Sequence, residues 1–321
     1  MNLLITGFSG FVARHFIEYL CKNKYQYNIL GIDIKSPTYC FDEIDYGGTI
    51  CFEECNMLDE KHLMDIISSF SPDYVLHLAS FSSVAYSWKN PADSFRNNTN
   101  IFLNLVNAIT SLQKKCRILS VGSSEEYGNV TEEDIPLKED DGFMPVSPYA
   151  VARVSQEMLS KVYADNFGVD IIMTRSFNHI GPYQDDRFVV PSFIKRISEI
   201  KRSGKTEGTI ETGDISIIRD FVDVRDVVEA YYLLLLNGKS GEVYNVCSGN
   251  GVMLGNVIAI ISELLGICIN TVVNQNYVRP QDNRIIIGSN EKINKELGWK
   301  PCIELSDTIR DMIYDFDVPI S

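Results

Sequence analysis

Residues 3–13, Leu-Leu-Ile-Thr-Gly-Phe-Ser-Gly-Phe-Val-Ala, constrain this chain more than any other stretch. A short apolar run meets a glycine turn that opens into a helical pattern, as a buried strand feeding a helix does. Gly7 lets the chain turn, Gly10 lets a pyrophosphate approach backbone N–H groups at the positive end of the helix, and small Ala13 allows close helix–strand packing. The spacing is G-x-x-G-x-x-A rather than G-x-G-x-x-G, so by itself it also suits a structural glycine turn in another α/β fold. The continuation narrows the choice. Twenty residues past Ala13, a second apolar run ends Gly31-Ile32-Asp33-Ile34. An acidic side chain there accepts hydrogen bonds from both hydroxyls of an adenosine ribose and repels a 2′-phosphate. Gly7, Ser9, Gly10, Phe11, Asp33 and Ile34 are thus expected dinucleotide contacts, with NAD(H) favoured over NADP(H) and Lys35 softening that preference.

The rest of the first half repeats the strand–helix alternation. Apolar runs at 2–6, 28–33, 50–53, 73–78, 117–122 and 169–175 predict strands, and helical patterns lie near 10–23, 60–69, 93–113 and 148–167. Such alternation predicts an α/β fold with a parallel sheet covered on both faces. Beyond residue 178 the alternation weakens: 203–214 reads as a Gly/Thr-rich loop, and helical pattern returns at 224–237, 252–266, 290–297 and 304–316. The expected division is a dinucleotide-binding domain at 1–178 and a lobe at 179–321, with 220–247 returning to the first domain.

Composition removes several alternatives. With 29 basic and 43 acidic residues the formal charge is −14, which leaves no electrostatic footprint for nucleic acid or an anionic membrane. No apolar run approaches the roughly 18 residues of a membrane span. Met1-Asn2 runs straight into Leu3-Leu4-Ile5, so no secretory leader is expected. Eight cysteines without a C-x-x-C pair point to free thiols in a reducing cytoplasm, and His15, His62, His77 and His179 lack metal-ligand spacing, so no metal is expected.

Three further strings are Val121-Gly-Ser-Ser-Glu-Glu-Tyr127-Gly128, Ser147-Pro-Tyr149-Ala-Val-Ala-Arg153 and Ser176-Phe-Asn178-His-Ile-Gly-Pro182. With the glycine turn, they make the chain resemble the nucleotide-sugar branch of the extended short-chain dehydrogenase/reductase superfamily over nearly its whole length. The strings Phe177–Pro182, Arg187-Phe-Val-Val-Pro191, Arg219-Asp-Phe221 and Glu242-Val-Tyr-Asn-Val-Cys-Ser-Gly249 are most similar to the GDP-4-keto-6-deoxy-D-mannose reductases, which make GDP-D-rhamnose. The resemblance implies a Rossmann-like doubly wound sheet with a smaller C-terminal substrate-binding α/β lobe. It also implies an enzyme whose reaction centre is a hydroxyl, a tyrosine and a cation.

Those roles fall on Ser123, which would orient the sugar carbonyl, Tyr149, which would protonate it, and the residue one helical turn on. A phenol holds its proton up to about pH 10, so it needs a nearby cation to work near neutrality. The superfamily has Lys at that next turn; this chain has Arg153. Arginine keeps the charge but is planar and bulkier. Three outcomes stay open: retained catalysis, slower turnover, or a non-catalytic NAD- or nucleotide-sugar-binding protein. Glu125 matches the glutamate that removes the C5 proton in nucleotide-sugar 4,6-dehydratases, so a dehydratase or epimerase with tightly bound NAD also stays open; otherwise Glu125 orients ligand or is solvated.

By the same resemblance Asn56 and Met57 lie near the adenine, Leu78, Ala79 and Ser80 near the cofactor diphosphate, and Tyr149 and Arg153 at the nicotinamide end. Ser82, Ser83, Ser124, Asn178, Val190, Arg219 and Arg279 fall on the substrate side, the two arginines suited to a diphosphate. Either arginine could equally be a surface ion pair, Arg219 with adjacent Asp220. The partner implied is a nucleotide diphosphate sugar. A homodimer is expected through the helix starting near Tyr149 and the one around 99–112, whose stripe Phe102, Leu105, Val106, Ile109 could also face the sheet.

Overall fold

The computed structural model describes residues 1–41, 46–278 and 283–316. β1 (Asn2–Thr6) leads into α1 (Phe11–Lys22), then β2 (Asn28–Asp33), β3 (Thr49–Glu54), α2 (Glu60–Phe70) and β4 (Tyr74–His77). Next come α3 (Val84–Lys89), α4 (Pro91–Phe95), α5 (Ile101–Thr110), β5 (Arg117–Val121), α6 (Pro148–Phe167) and β6 (Asp170–Ser176). Every strand expected in this half forms within a residue or two of its apolar run.

Seven strands make one parallel sheet, whose order runs from the later β10 (Val243–Val246) through β6, β5, β4, β1 and β2 to β3. Leu3, Leu4 and Ile5 alternate between the sheet's faces, each at most 1% exposed, so all three must be apolar. Leu3 and Ile5 join an apolar layer with Phe16 of α1 and Val227 of α8 (Val224–Asn237), while Leu4 joins Ile67, Phe102 and Leu105 on the other face. The chain builds outward from β1 to β3 on one side and from β4 to β6 on the other. The order therefore reverses between β1 and β4, and the crevice outside their carboxyl ends is the topological switch point where such sheets take ligands.

The second half contains β7 (Asn178–Ile180), α7 (Val189–Arg202), β8 (Glu207–Thr212) and β9 (Ile218–Asp223) before α8, and β11 (Gly251–Met253), α9 (Leu254–Leu265), β12 (Cys268–Val273), β13 (Ile285–Ile286), α10 (Glu291–Leu297) and α11 (Leu305–Asp315) after β10. β9 centres a small mixed sheet, antiparallel to β11 and parallel to β7 and β13. Buried Asp220 ties this sheet to its loops, accepting from Ser248 N and Oγ at 2.8 and 2.6 Å, Gly249 N at 3.0 Å and Gly288 N at 3.2 Å. α8 and β10 lie with the large sheet, α8 in the same apolar layer as α1 and β10 beside β6.

Three sequence expectations need correction. Residues 207–212 form a strand paired in parallel with β12; only two of its side chains are buried, so its signal is weak and its partner lies some sixty residues away. The helix expected over 93–113 is broken by a π-helical turn, Arg96–Asn100, that carries the Asn98 side chain inward, where it accepts from Phe81 N at 3.1 Å. The stripe Phe102, Leu105, Val106, Ile109 faces the sheet and is at most 3% exposed, so it supplies no interface.

Candidate active site

The glycine turn and the start of the β4 exit loop meet backbone to backbone. Gly7 has φ +71, and a Cβ there would lie 2.7 Å from Ala79 N. Thr6 Oγ1 accepts Ala79 N–H at 3.1 Å, and Thr6 O accepts Leu78 N–H at 3.2 Å. Gly10 caps α1 without a side chain, leaving first-turn N–H groups open to an anion. Asp33 braces the turn: Oδ2 accepts Ser9 N–H at 2.9 Å and Oδ1 accepts Ile34 N–H at 2.7 Å. Ser9 Oγ donates to Lys35 O at 2.6 Å. These residues fit a dinucleotide: a cradle that a side chain would fill, and a carboxylate with lone pairs left for ribose hydroxyls.

β5 and α6 bring the chemical groups. Ser147 N-caps α6, accepting Ala150 N–H at 3.1 Å, and Pro148 takes the first turn, where its missing N–H costs nothing. Tyr149 and Arg153 then stand one turn apart on a buried face, each 5% exposed. Arg153 Nε donates to Tyr149 Oη at 3.1 Å, and its Nη1 donates to Val121 O at 3.1 Å and Gln156 Oε1 at 2.7 Å. Gln156 is fixed in turn by donating to Ser120 Oγ at 2.9 Å. The cation thus spans from the phenol to the last residue of β5, two positions before Ser123.

Ser123 opens a 3-10 turn, Ser124–Glu126, closed by a capping box. Its hydroxyl accepts Glu125 N–H at 3.2 Å, which leaves its own hydrogen for an acceptor outside the turn. Ser124 is 5% exposed. A buried phenol, a buried cation on it and a hydroxyl with a proton to offer can polarise and protonate a carbonyl.

A sequence profile of the GDP-mannose 4,6 dehydratase family matches residues 4–312. The chain belongs to that family. GDP-6-deoxy-D-mannose reductase from Pseudomonas aeruginosa is 30% identical over 316 residues, covering 98% of this chain and 97% of that protein. A solved structure of RMD from Pseudomonas aeruginosa complexed with NADPH superposes with a TM-score of 0.84 at 29% identity, covering 98% of each chain. UDP-glucose 4-epimerase from Thermotoga maritima, solved with UDP-glucose, gives a TM-score of 0.87 at 29% identity and 99% coverage of each chain.

In this member of the GDP-mannose 4,6 dehydratase family the remaining sequence candidates scatter around the switch point. Asn56 is exposed, its Oδ1 accepting Leu58 N–H at 3.0 Å, while Met57 is buried. Phe11 stacks on His179 with centroids 5.7 Å apart. Leu78, Ala79 and Ser80 are half-buried and Ser82 is exposed. Ser83 N-caps α3, accepting Tyr86 N–H at 3.2 Å. Asn178 Nδ2 reaches Asp220 O at 3.4 Å. Val190 is fully buried in the lobe core, so only its backbone, in the first turn of α7, remains for a ligand. Arg219 Nη1 donates to Ile218 O at 2.9 Å and Asn283 O at 2.7 Å. Arg279 lies outside the described residues. His77 holds Thr6 Oγ1 at 2.8 Å through Nδ1, while among the described residues no partner reaches its buried Nε2 and burial pushes the ring down to about 3.

Gln156, Glu126, Glu157 and Arg175, all packed behind the site, were not singled out from the sequence. The Ser123-x-x-Glu126 spacing of a capping box and the i,i+3 relation of Arg153 to Gln156 were signals for two of them. Among the described residues no group of three His, Cys, Asp or Glu could hold a metal, and no helix is long and apolar enough to cross a membrane.

Proposed function

We propose that this protein is a reductase of nucleotide-linked 4-keto-6-deoxy sugars, with GDP-4-keto-6-deoxy-D-mannose going to GDP-D-rhamnose as its reaction. The observation that carries the reading is the buried hydrogen bond from Arg153 Nε to Tyr149 Oη beside the Ser123 turn. Bound reduced nicotinamide supplies the hydride that reaches C4. Ser123 donates its hydroxyl hydrogen to the C4 oxygen and aligns it. Tyr149, whose oxygen already accepts from Arg153, has its own proton free to give to that oxygen. The negative charge left on the phenol is held by Nε, and the carbonyl has become an alcohol.

Asp33 makes NADH the expected reductant over NADPH, since both its oxygens already face inward on the turn and a 2′-phosphate would meet their charge. RMD was solved with NADPH, so both cofactors belong in the test. Residues 1–178, with 220–247 returning, serve as the cofactor domain, and 179–321 mainly as the substrate lobe. Asn178, Val190, Arg219 and Arg279 serve the nucleotide diphosphate, and Ser82, Ser83 and Ser124 the sugar. The chain acts in the cytoplasm as a homodimer.

Purified protein should oxidise NADH when given the GDP-linked 4-keto sugar and little when given dTDP-, CDP- or UDP-linked ones. Flat absorbance with every keto sugar and both reduced cofactors rejects the reading. Glu125 favours a second reading, a 4,6-dehydratase, because it lies on the Ser123 turn and its N–H bonds the Ser123 hydroxyl. Glu125→Gln separates the two: a dehydratase loses turnover, and a ketoreductase keeps most of it.

A further inference from the structure

Behind the Ser123 hydroxyl lies an acid that the reaction as proposed leaves unused. Glu126 is wholly buried. Its Oε1 accepts the Ser123 backbone N–H at 2.6 Å, and among the described residues no donor reaches Oε2. What Glu126 meets, side chain to side chain, is another carboxylate, Glu157 of α6. Glu157 is committed to Arg175 of β6 through two bonds of 2.8 and 3.0 Å. Arg175 gives Nη1 to the carbonyls of Glu139 and Asp141 at 3.2 and 3.3 Å, and its guanidinium lies 4.6 Å from the ring centres of both Tyr127 and Phe143. Glu139 adds negative charge near Arg175 and Tyr127.

One guanidinium therefore faces the wholly buried Glu126 and the largely buried Glu157, with Glu139 close by. Two ionised carboxylates offer each other only lone pairs and repulsion. A single proton on Glu126 Oε2 removes both problems: it donates to Glu157, while Oε1 still accepts from Ser123. Burial, and then the charge of Glu157, push the Glu126 carboxyl well above the usual carboxylate range.

We propose that Glu126 is a positioning residue that works as a neutral acid, bridging Glu157 and the Ser123 N–H so that the Ser123 hydroxyl is aimed at the carbonyl being reduced. The inference rests on the carbonyl-orienting role of Ser123. Glu126→Gln preserves both bonds, its amide NH2 replacing the acid proton and its amide oxygen still accepting from Ser123. Glu126→Leu keeps the volume and neither bond.

The test compares the thermal midpoints of wild type and Glu126→Gln across pH, NADH affinity, and kcat on the keto sugar that wild type turns over. A folded-state carboxyl held above its unfolded value contributes fully below the unfolded value and loses that contribution as pH rises towards the folded one. Wild type should therefore lose midpoint relative to Glu126→Gln as pH rises from about 5 to about 8. Glu126→Gln should keep kcat within about twofold, while Glu126→Leu drops it about tenfold to a hundredfold with NADH affinity unchanged. A midpoint difference that does not grow with pH overturns the neutral acid. Glu126→Leu at wild-type kcat, or Glu126→Gln as slow as Glu126→Leu, overturns the positioning role. Should Glu126→Leu not fold, the pH trend and kcat of Glu126→Gln decide. A wild type that reduces no keto sugar overturns the ketoreductase reading and the positioning role with it, whereas an active wild type with unaffected variants overturns the positioning role alone.

Discussion

Tyr149 carries one hydrogen and one acceptor interaction, and Arg153 has taken the acceptor. Tyr149→Phe removes the proton and leaves the cavity filled. It should lower kcat by about a hundredfold to ten-thousandfold in single-turnover assays, with NADH binding intact. Arg153 is the more instructive position, because a lysine there keeps the charge and changes the geometry. The guanidinium serves Tyr149, Val121 O and Gln156 Oε1 at once from a rigid fork. A single ammonium serving the phenol leaves Gln156 Oε1 buried without that donor, a cost of about 1–3 kcal/mol. Arg153→Lys should thus melt earlier by calorimetry yet turn over measurably, and Arg153→Met should fail in turnover as well. If Arg153→Lys instead switches on an activity that wild type lacks, the natural chain is a binding protein.

At the scale of elements, the strand–turn–helix at residues 3–13 depends on backbone contact between two βα turns. Gly7→Ala must hold φ +71 and place its methyl 2.7 Å from Ala79 N. The left-handed conformation alone costs about 1–2 kcal/mol, and the clash forces apart the turns that would hold the diphosphate. Isothermal titration should show NADH binding lost while circular dichroism stays folded. In the small sheet, Asp220 accepts four donors from three residues. Asp220→Asn turns an NH2 towards two of them, so denaturant melts should show a loss of about 1–3 kcal/mol. β8, with Gly208 inside it, shows the converse: it becomes a strand by pairing with β12 some sixty residues on.

Across the whole molecule, α1 is joined to the second half of the chain. Phe11 stacks on His179, His15 Nε2 meets Pro182 O at 3.0 Å, and Tyr183 N donates to Asp315 Oδ2 at 2.8 Å. Residues of α1, β7 and α11 therefore share one chain of contacts. On the outside, α6 carries Val151, Met158 and Val162, each between 44% and 57% exposed, on the helix that also carries Tyr149 inside. Spacings of seven and four put them on one stripe. Met158→Glu with Val162→Glu should convert the expected dimer to a monomer in light scattering without lowering the melting temperature of the monomer fold. An unchanged mass of one chain in wild type removes the dimer.

Much of this was written locally. Continuous apolar runs specify strands buried on both faces, and Leu3-Leu4-Ile5 shows why: no position faces water, so a polar residue there needs a buried partner, as Thr6 has in Ala79 N–H. The glycine turn, Asp33, and Tyr149 one turn before Arg153 are fixed by backbone spacing, so their placement follows from the order of residues alone. Other features depend on which distant segment arrives. Residues 207–212 become a strand because 268–273 comes alongside, and Arg219 donates to Asn283 O, 64 residues on, only once that segment folds back against it. Glu126 is the sharpest case. Its capping spacing is local, but burial first and the charge of Glu157 second push its carboxyl upward, and charge energies depend on distance and water exclusion, which exist only once the chain is folded.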